Sequence, residues 1–357
     1  MADVSLCLPL TRESVQSAYD FIRANVHKTP VLTSRTLNGI ASTQQATSPD
    51  CAKPSIRLFF KCENYQKIGA FKARGAFHAL LRLFHHLGED EVRRRGVVTH
   101  SSGNHAQALA FAAHTYNVPA HIVMPSISTA SKIAGTKSHG ANVVFSGSTS
   151  EEREAVVAQV IRDTGAILVP PYDHPDIILG QGTAALEFEE KVGEMQSTPL
   201  DAVITPLGGG GLLSGTATYF APTSTRVFGA EPSFQGADDG RRGLEAGKRV
   251  ESIKTLTIAD GLRTPVGLIP WTVISDREKV AGLYSVSEDQ IKEAMKLVLE
   301  RMKVVIEPSA AVPLAVVLFN EEFRKLVERE AGEKGWDIGV IFSGGNTTVE
   351  AIAKLFS

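Results

Sequence analysis

The chain has 357 residues, 43% of them hydrophobic, and sets 37 basic against 39 acidic side chains for a formal charge of -2. A length of this order buries a large core and leads us to expect roughly two domains. The balanced charge and the lack of any long basic stripe leave a nucleic-acid or membrane-surface role without support.

Arg93, Arg94 and Arg95 form the densest basic cluster, which reads as a solvated helix end. Cys7, Cys51 and Cys62 are too few and too irregular for a disulfide framework or a zinc site. No segment approaches the roughly 18 apolar residues of a membrane span. The short apolar stretch at residues 4–10 lacks the basic start of a signal peptide. A reducing, cytoplasmic setting is therefore expected.

In chain order, short apolar runs at residues 56–61, 96–100, 120–124, 141–145, 166–169, 202–206, 227–230 and 339–342 read as strands. Residues 70–87, 104–116 and 150–163 read as helices between them. This alternation predicts an α/β fold in which parallel sheet is covered by helices. Residues 44–53 read as a surface loop, and the charged stretch 328–334 as the end of a helix. Ser287 followed three residues later by Gln290 predicts a capping box for an amphipathic run through Met302. No internal repeat is found.

Five segments carry chemistry. Gly208-Gly209-Gly210-Gly211-Leu212-Leu213-Ser214-Gly215 follows the strand at 202–206. Its glycines let backbone N–H groups converge on one anion at the start of a helix, and a phosphate is the natural guest. The segment lacks the Gly-Lys-Ser/Thr ending of a nucleoside-triphosphate loop and fails the G-x-G-x-x-G pattern. Gly69-Ala70-Phe71-Lys72-Ala73-Arg74-Gly75 opens an apolar helix. A lysine held among such neighbours is desolvated, which favours the neutral amine that imine chemistry needs; from this segment alone, a lysine reaching out to solvent is the better reading.

His100-Ser101-Ser102-Gly103-Asn104-His105 stands between a strand and a helix. Hydroxyls and N–H groups gathered at a helix start suit a carboxylate, although one serine there is an ordinary cap. Ile341-Phe342-Ser343-Gly344-Gly345-Asn346 runs from a strand into a glycine turn, where the Ser343 hydroxyl can meet a ring nitrogen. Glu231-Pro232-Ser233-Phe234-Gln235-Gly236-Ala237-Asp238-Asp239 gathers oxygen ligands suited to Mg²⁺ or Ca²⁺, and equally reads as a solvated acidic turn.

Taken together, these segments resemble the fold-type II pyridoxal-phosphate enzymes (tryptophan synthase β-like), in the branch of serine racemase and serine/threonine dehydratase. The resemblance runs in order from Thr29-Pro30-Val31-Leu32 to Ser343-Gly344-Gly345-Asn346 and includes Gly180-Gln181-Gly182-Thr183, Ile258-Ala259-Asp260-Gly261 and Arg301-Met302-Lys303. It implies a large cofactor-binding domain from residues 1–93 and 174–357, and a small mobile substrate-binding domain from residues 94–173. The active site then lies between the two. It further implies that Lys72 carries pyridoxal 5'-phosphate as a Schiff base, Phe71 packs near the ring, Asn104 meets the 3-hydroxyl, Gly208, Gly209, Gly210, Gly211 and Leu212 hold the phosphate, and Ser343 faces the pyridine nitrogen. The substrate carboxylate falls to Ser101, Ser102, Asn104 and His105, with Arg153 as a further substrate contact.

The same resemblance implies a divalent cation, Mg²⁺ or in its place Ca²⁺ or Mn²⁺, on Glu231, the Ala237 carbonyl and Asp239. The loop between them is about two residues longer than the family pattern. Lys67, Gln107, Lys303 and Asn346 match positions that bind ATP between subunits, implying a homodimer with a nucleotide effector. A neutral Ser343, in place of Asp, makes the ring a weaker electron sink, which suits elimination of a β-hydroxyl. The expected reaction converts a small hydroxy-amino acid, such as serine, threonine or 3-hydroxyaspartate, to a 2-oxo acid and ammonia. Ser102 on the face opposite Lys72 makes racemisation the close alternative, and both activities can share one site. A non-catalytic binder is opposed by the intact Lys72, glycine loop and Ser343; a β-replacement synthase fits the Ser101–His105 segment less well.

Overall fold

The computed structural model describes residues 3–44, 51–101, 103–128, 130–147 and 150–357. Ser102 and residues 45–50 of the expected surface loop lie outside the described residues. Among the described residues ten strands form: β1 (Val31–Thr33), β2 (Ile56–Cys62), β3 (Val97–His100), β4 (Ala120–Pro125), β5 (Asn142–Ser146), β6 (Ile167–Leu168), β7 (Ala202–Pro206), β8 (Arg226–Pro232), β9 (Gly282–Val286) and β10 (Trp336–Phe342). One sheet has the order β1-β2-β10-β7-β8-β9 and the other β5-β4-β3-β6.

Each run read as a strand is one. β1 and β9 were not anticipated: β1 has three residues, and β9 dilutes its apolar pattern with Gly282 and Ser285. The expected parallel sheet is found, and only at one edge does β1 pair with β2 antiparallel. The other ladders are parallel. β10 has all seven residues buried and lies between β2 and β7, as a strand covered on both faces must. Phe60 and Phe342 stack across the β2–β10 ladder with ring centroids 4.8 Å apart.

The helices that cover the larger sheet pack on one another through glycine-lined crossings. A Cβ at Gly180, in the helix Pro175–Met195, would lie 2.7 Å from Gly75 Cα in the helix Lys72–Leu87. One at Gly215, in the helix Gly211–Phe220, would lie 2.4 Å from the Ile178 carbonyl oxygen. Gly75 N donates to Gln181 Oε1 at 3.1 Å. The Gly180-Gln181-Gly182-Thr183 motif is thus a backbone contact surface for the two helices that carry Lys72 and the glycine loop. Overpacking such a contact by one methyl costs about 1–3 kcal/mol.

The predicted capping box forms: Ser287 Oγ accepts from Gln290 N, and Gln290 Oε1 accepts from Ser287 N at 2.9 Å. The helix Glu288–Leu297 then widens into a π-type turn, Val298–Met302, before Lys303 takes φ 61°. The helix Glu321–Ala331 ends inside the charged stretch at 328–334. Among the described residues, no helix is long and apolar enough to cross a membrane.

Candidate active site

In α/β sheets, ligands gather at the carboxyl ends of parallel strands, and four of the chemical segments begin there. β7 runs into Gly208–Gly211, β10 into Ser343, β3 into Ser101, and β2 leads through a short connection to Lys72. Contacts knit these ends together. Phe71 N donates to the Ser343 carbonyl at 3.0 Å, and Gly345 N donates to the Gly69 carbonyl at 2.9 Å.

Lys72 opens its helix with its side chain only partly covered, but its amine lies deep. Desolvation there lowers its pKa to about 8. The amine donates to the Pro171 carbonyl at 2.7 Å and sits 5.2 Å from the Phe71 ring centroid. The next residue along, Tyr172, lies on the glycine loop: a Cβ at Gly209 would be 2.3 Å from the Tyr172 ring, and one at Gly211 3.4 Å from its Cα. One strap therefore joins the lysine to the glycines. Tyr172 escaped the sequence reading because an isolated tyrosine carries no motif.

The glycine loop has the form an anion site needs. Gly210 takes φ +93°, where a side chain is strained, and a Cβ there would meet Pro270 at 2.6 Å. No side chain caps the helix Gly211–Phe220. The N–H groups of residues 208–213 find no acceptor among the described residues. Converging unpaired donors at a helix start fit a phosphate. The Ser343 side chain is buried, and its hydroxyl makes no hydrogen bond to described residues, leaving it available to a ring nitrogen. These features and the basic Lys72 amine together fit pyridoxal phosphate.

The β3 end is more constrained than expected. Ser101 Oγ accepts from Gly103 N at 3.3 Å, and Ser101 N donates to the Val123 carbonyl. Asn104 Nδ2 donates to Glu307 Oε1 at 2.8 Å, and its Oδ1 accepts from Asn346 Nδ2 at 2.8 Å. Glu307, absent from the sequence reading, is buried, and desolvation raises its pKa to about 7. His105 is held neutral, its pKa lowered to about 3 by burial and then by the Lys72 charge. Its Nε2 lies 3.3 Å from the Val169 carbonyl oxygen, and its Nδ1 has no partner among the described residues. With the proton on Nε2 the ring offers a substrate carboxylate no donor, so a contact from His105 falls to its backbone N–H. The charge of Arg153, on the helix Ser150–Thr164, lowers the His100 pKa after burial and reaches Tyr172.

Glu231, at the end of β8, is fully buried and accepts from Gly240 N and Arg241 N, each at 2.8 Å. Burial, and then the charge of Asp239, push its pKa well up. Asp239 accepts from Val266 N at 2.9 Å and is raised to about 6, mainly by burial. Ala237 is buried between them in sequence. The longer loop closes through consecutive left-handed residues, Gln235 at φ 53° and Gly236 at φ 74°. Paired buried carboxylates of this kind fit a divalent cation, which relieves their repulsion.

The four residues matched to a nucleotide are partly brought together. Asn346 Nδ2 donates to the Ile68 carbonyl, adjoining Lys67. The Lys67 ammonium lies 5.8 Å from the ring of Phe111, one helical turn from Gln107. The Lys303 amine instead turns back to the Glu300 carbonyl at 2.5 Å.

This arrangement defines a pyridoxal-phosphate enzyme, and comparison with known proteins agrees: the chain belongs to the family described as pyridoxal-phosphate dependent enzyme, matched over residues 22–344. The fold is that of fold-type II members. The chain is 41% identical over 350 residues to L-threo-3-hydroxyaspartate ammonia-lyase of Saccharomyces cerevisiae, covering 97% of this chain and 96% of the relative. It is 41% identical over 353 residues to serine racemase of Dictyostelium discoideum, covering 98% of each. The solved structure of maize serine racemase superposes with a TM-score of 0.84 at 39% identity, covering 97% of this chain and 96% of the other.

A direct check of the lysine uses the cofactor-free protein. Acylation of Lys72 by a small amine-specific reagent should rise with pH to a midpoint near 8. A midpoint near that of an ordinary lysine, about 10.4, would show that the amine is solvated.

Proposed function

We propose that the protein deaminates a small hydroxy-amino acid by eliminating its β-hydroxyl, giving a 2-oxo acid and ammonia, and that the same site supports racemisation of serine as its second activity. The observation that carries this reading is the strap that joins a basic, desolvated Lys72 to the unpaired N–H groups of the glycine loop. The names of the similar proteins, an ammonia-lyase and a serine racemase, support the two activities.

Pyridoxal phosphate, when bound, supplies the electron sink that acidifies the α-hydrogen of an attached amino acid. The N–H groups of residues 208–213 hold its phosphate, and Phe71 covers the ring. Ser343 would face the ring nitrogen as a neutral partner, which makes the bound ring a weaker sink. The backbone amides at the start of the helix Asn104–Thr115, with Ser101, hold the substrate carboxylate, and Arg153 adds positive charge from the small domain, residues 94–173. The Lys72 amine takes the α-proton from one face. Ser102 serves the other face, where returning a proton inverts the α-carbon. The proposed setting is the cytoplasm, and the proposed assembly a homodimer.

Turnover on L-serine, D-serine, L-threonine and L-threo-3-hydroxyaspartate, with chiral analysis of residual substrate, tests this reading. A 2-oxo acid should form from at least one of them. Ser102→Ala should suppress serine interconversion by ~10²–10⁴-fold, the usual contribution of a general acid–base group, and reduce elimination from the Lys72-facing enantiomer far less. Equal losses in every reaction would reduce Ser102 to a binding residue, and no 2-oxo acid from any substrate would remove the dehydratase reading.

Glu231, the Ala237 carbonyl and Asp239 are proposed to hold Mg²⁺, and Lys67, Gln107, Lys303 and Asn346 to hold ATP as an effector. A ligand bound only by the folded state adds about 2.7 kcal/mol at a hundredfold excess over its Kd. Melting scans in chelator, in Mg²⁺ and in Mg-ATP should show two upward steps. Asp239→Asn should remove the first and Gln107→Ala only the second. Superimposable melts in all three buffers would leave the residues as an acidic turn and ordinary loop ends.

A further inference from the structure

Three donors of different chemistry meet away from the glycine loop. Cys7 lies in the segment before the helix Arg12–Ile22, while His174 caps the helix Pro175–Met195 and Asp176 sits in its first turn. Cys7 Sγ is 3.5 Å from Asp176 Oδ2 and 4.0 Å from His174 Nε2. His174 Nδ1 is 3.9 Å from Asp176 Oδ2. His174 and Asp176 are buried, and Cys7 is half-buried. Among the described residues, this is the only group of three His, Cys, Asp or Glu side chains whose ligand atoms lie within 4.8 Å of one another.

The spacing also suits a metal. Around a tetrahedral ion with metal–sulfur bonds of about 2.3 Å and metal–nitrogen or metal–oxygen bonds of about 2.0 Å, sulfur and its neighbours stand roughly 3.5 Å apart. As hydrogen bonds, the 3.5 Å contact to Asp176 is of ordinary length for a thiol donor and the 4.0 Å contact to His174 is long. The buried polar atoms nearby are also poorly satisfied: Asp176 Oδ1 and Arg82 Nε face each other at 3.4 Å, and neither has a hydrogen-bond partner among the described residues. Arg82 Nη2 donates to the Leu6 carbonyl at 3.0 Å, so the arginine holds both the carboxylate and the chain next to Cys7. Its pull on Oδ1 leaves Oδ2 turned towards the thiol.

We propose that Cys7 Sγ, His174 Nε2 and Asp176 Oδ2 form a binding site for a borderline divalent metal ion of the zinc class, with water as the fourth ligand. Thiolate and carboxylate together neutralise the ion, and one sulfur with one imidazole selects against Mg²⁺, which prefers oxygen alone. The thiol proton leaves to solvent as the metal–sulfur bond forms. His174 Nδ1 accepts from Asp176 N at 3.3 Å, which keeps the ring proton on Nε2. Coordination moves that proton to Nδ1 and gives up this long cap. The ion fastens the N-terminal segment to the residue that follows Tyr172 and Asp173. Asp173 in turn accepts from Leu268 N and Ile269 N at 3.0 and 2.8 Å, so the ion braces the strap over the glycine loop from outside.

Holoenzyme treated with chelator, given Zn²⁺ and passed through gel filtration should retain about one zinc per chain. Zinc-edge X-ray absorption should then find one sulfur at about 2.3 Å. Cys7→Ser should remove the sulfur and weaken zinc by more than the roughly 10–100-fold lost with a mere outer-shell partner, while the response to Mg²⁺ stays unchanged. His174→Asn, which keeps a capping side chain, should weaken zinc as strongly. Retained zinc with only nitrogen and oxygen neighbours, unchanged affinity in Cys7→Ser, or no zinc retained at micromolar concentration would each overturn the site.

Discussion

Four charged side chains share one dry position beneath Lys72, and the geometry of the site rests on them. Arg74 donates to Glu63 at 2.7 and 2.8 Å and to Glu187 at 2.6 and 3.0 Å, and Lys61 donates to Glu187 at 2.7 Å. All four are fully buried. Two cations against two carboxylates leave no net charge, and Thr29 completes the set: its hydroxyl donates to Glu63, and its carbonyl accepts from Lys61. Burying such a set gains little over apolar packing, but removing one member strands a charge at about 3–5 kcal/mol. The cluster therefore acts as a specific lock. It holds β2, the first turn of the Lys72 helix and the middle of the helix Pro175–Met195 in one arrangement, with Lys72 two residues from Arg74.

That lock and the glycine crossings answer the same requirement. The lysine and the glycine loop come from helices far apart in sequence, yet in the proposed function they face one small molecule with little tolerance. Gly180 and Gly215 let the helices approach to backbone contact, and the Pro171–Tyr172 strap spans the gap on the open side. The result is a basic amine and an anion cradle held by rigid elements, the condition for an oriented reaction.

Much of this was legible in the sequence, for reasons that differ by element. The six inner strands are largely buried and read as apolar runs; the edge strands β5 and β6 still carry the apolar runs at 141–145 and 166–169, whereas at the edges β1 and β9 the pattern is brief or diluted by Gly282 and Ser285. The glycine run was legible because only a close approach or a left-handed turn requires four glycines together. Glu307 and Tyr172 were not, since each acts as a single side chain brought in by tertiary contact. Ser343 and Lys72 gained their meaning only from the combination of segments, as either alone reads as ordinary. The cysteines were judged by their spacing to one another, yet Cys7 finds its partners 167 and 169 residues away. Pairing across such a separation leaves no local pattern.

In the proposed function, Lys72 and no other lysine binds the cofactor covalently. Borohydride reduction of the holoenzyme followed by peptide mapping tests it most directly. The cofactor should be fixed to the peptide containing Phe71-Lys72-Ala73, while Lys61, bound into the buried charge cluster, stays unmodified. Recovery of the label on Lys61 or Lys67, or its complete loss on reduction, would contradict the account.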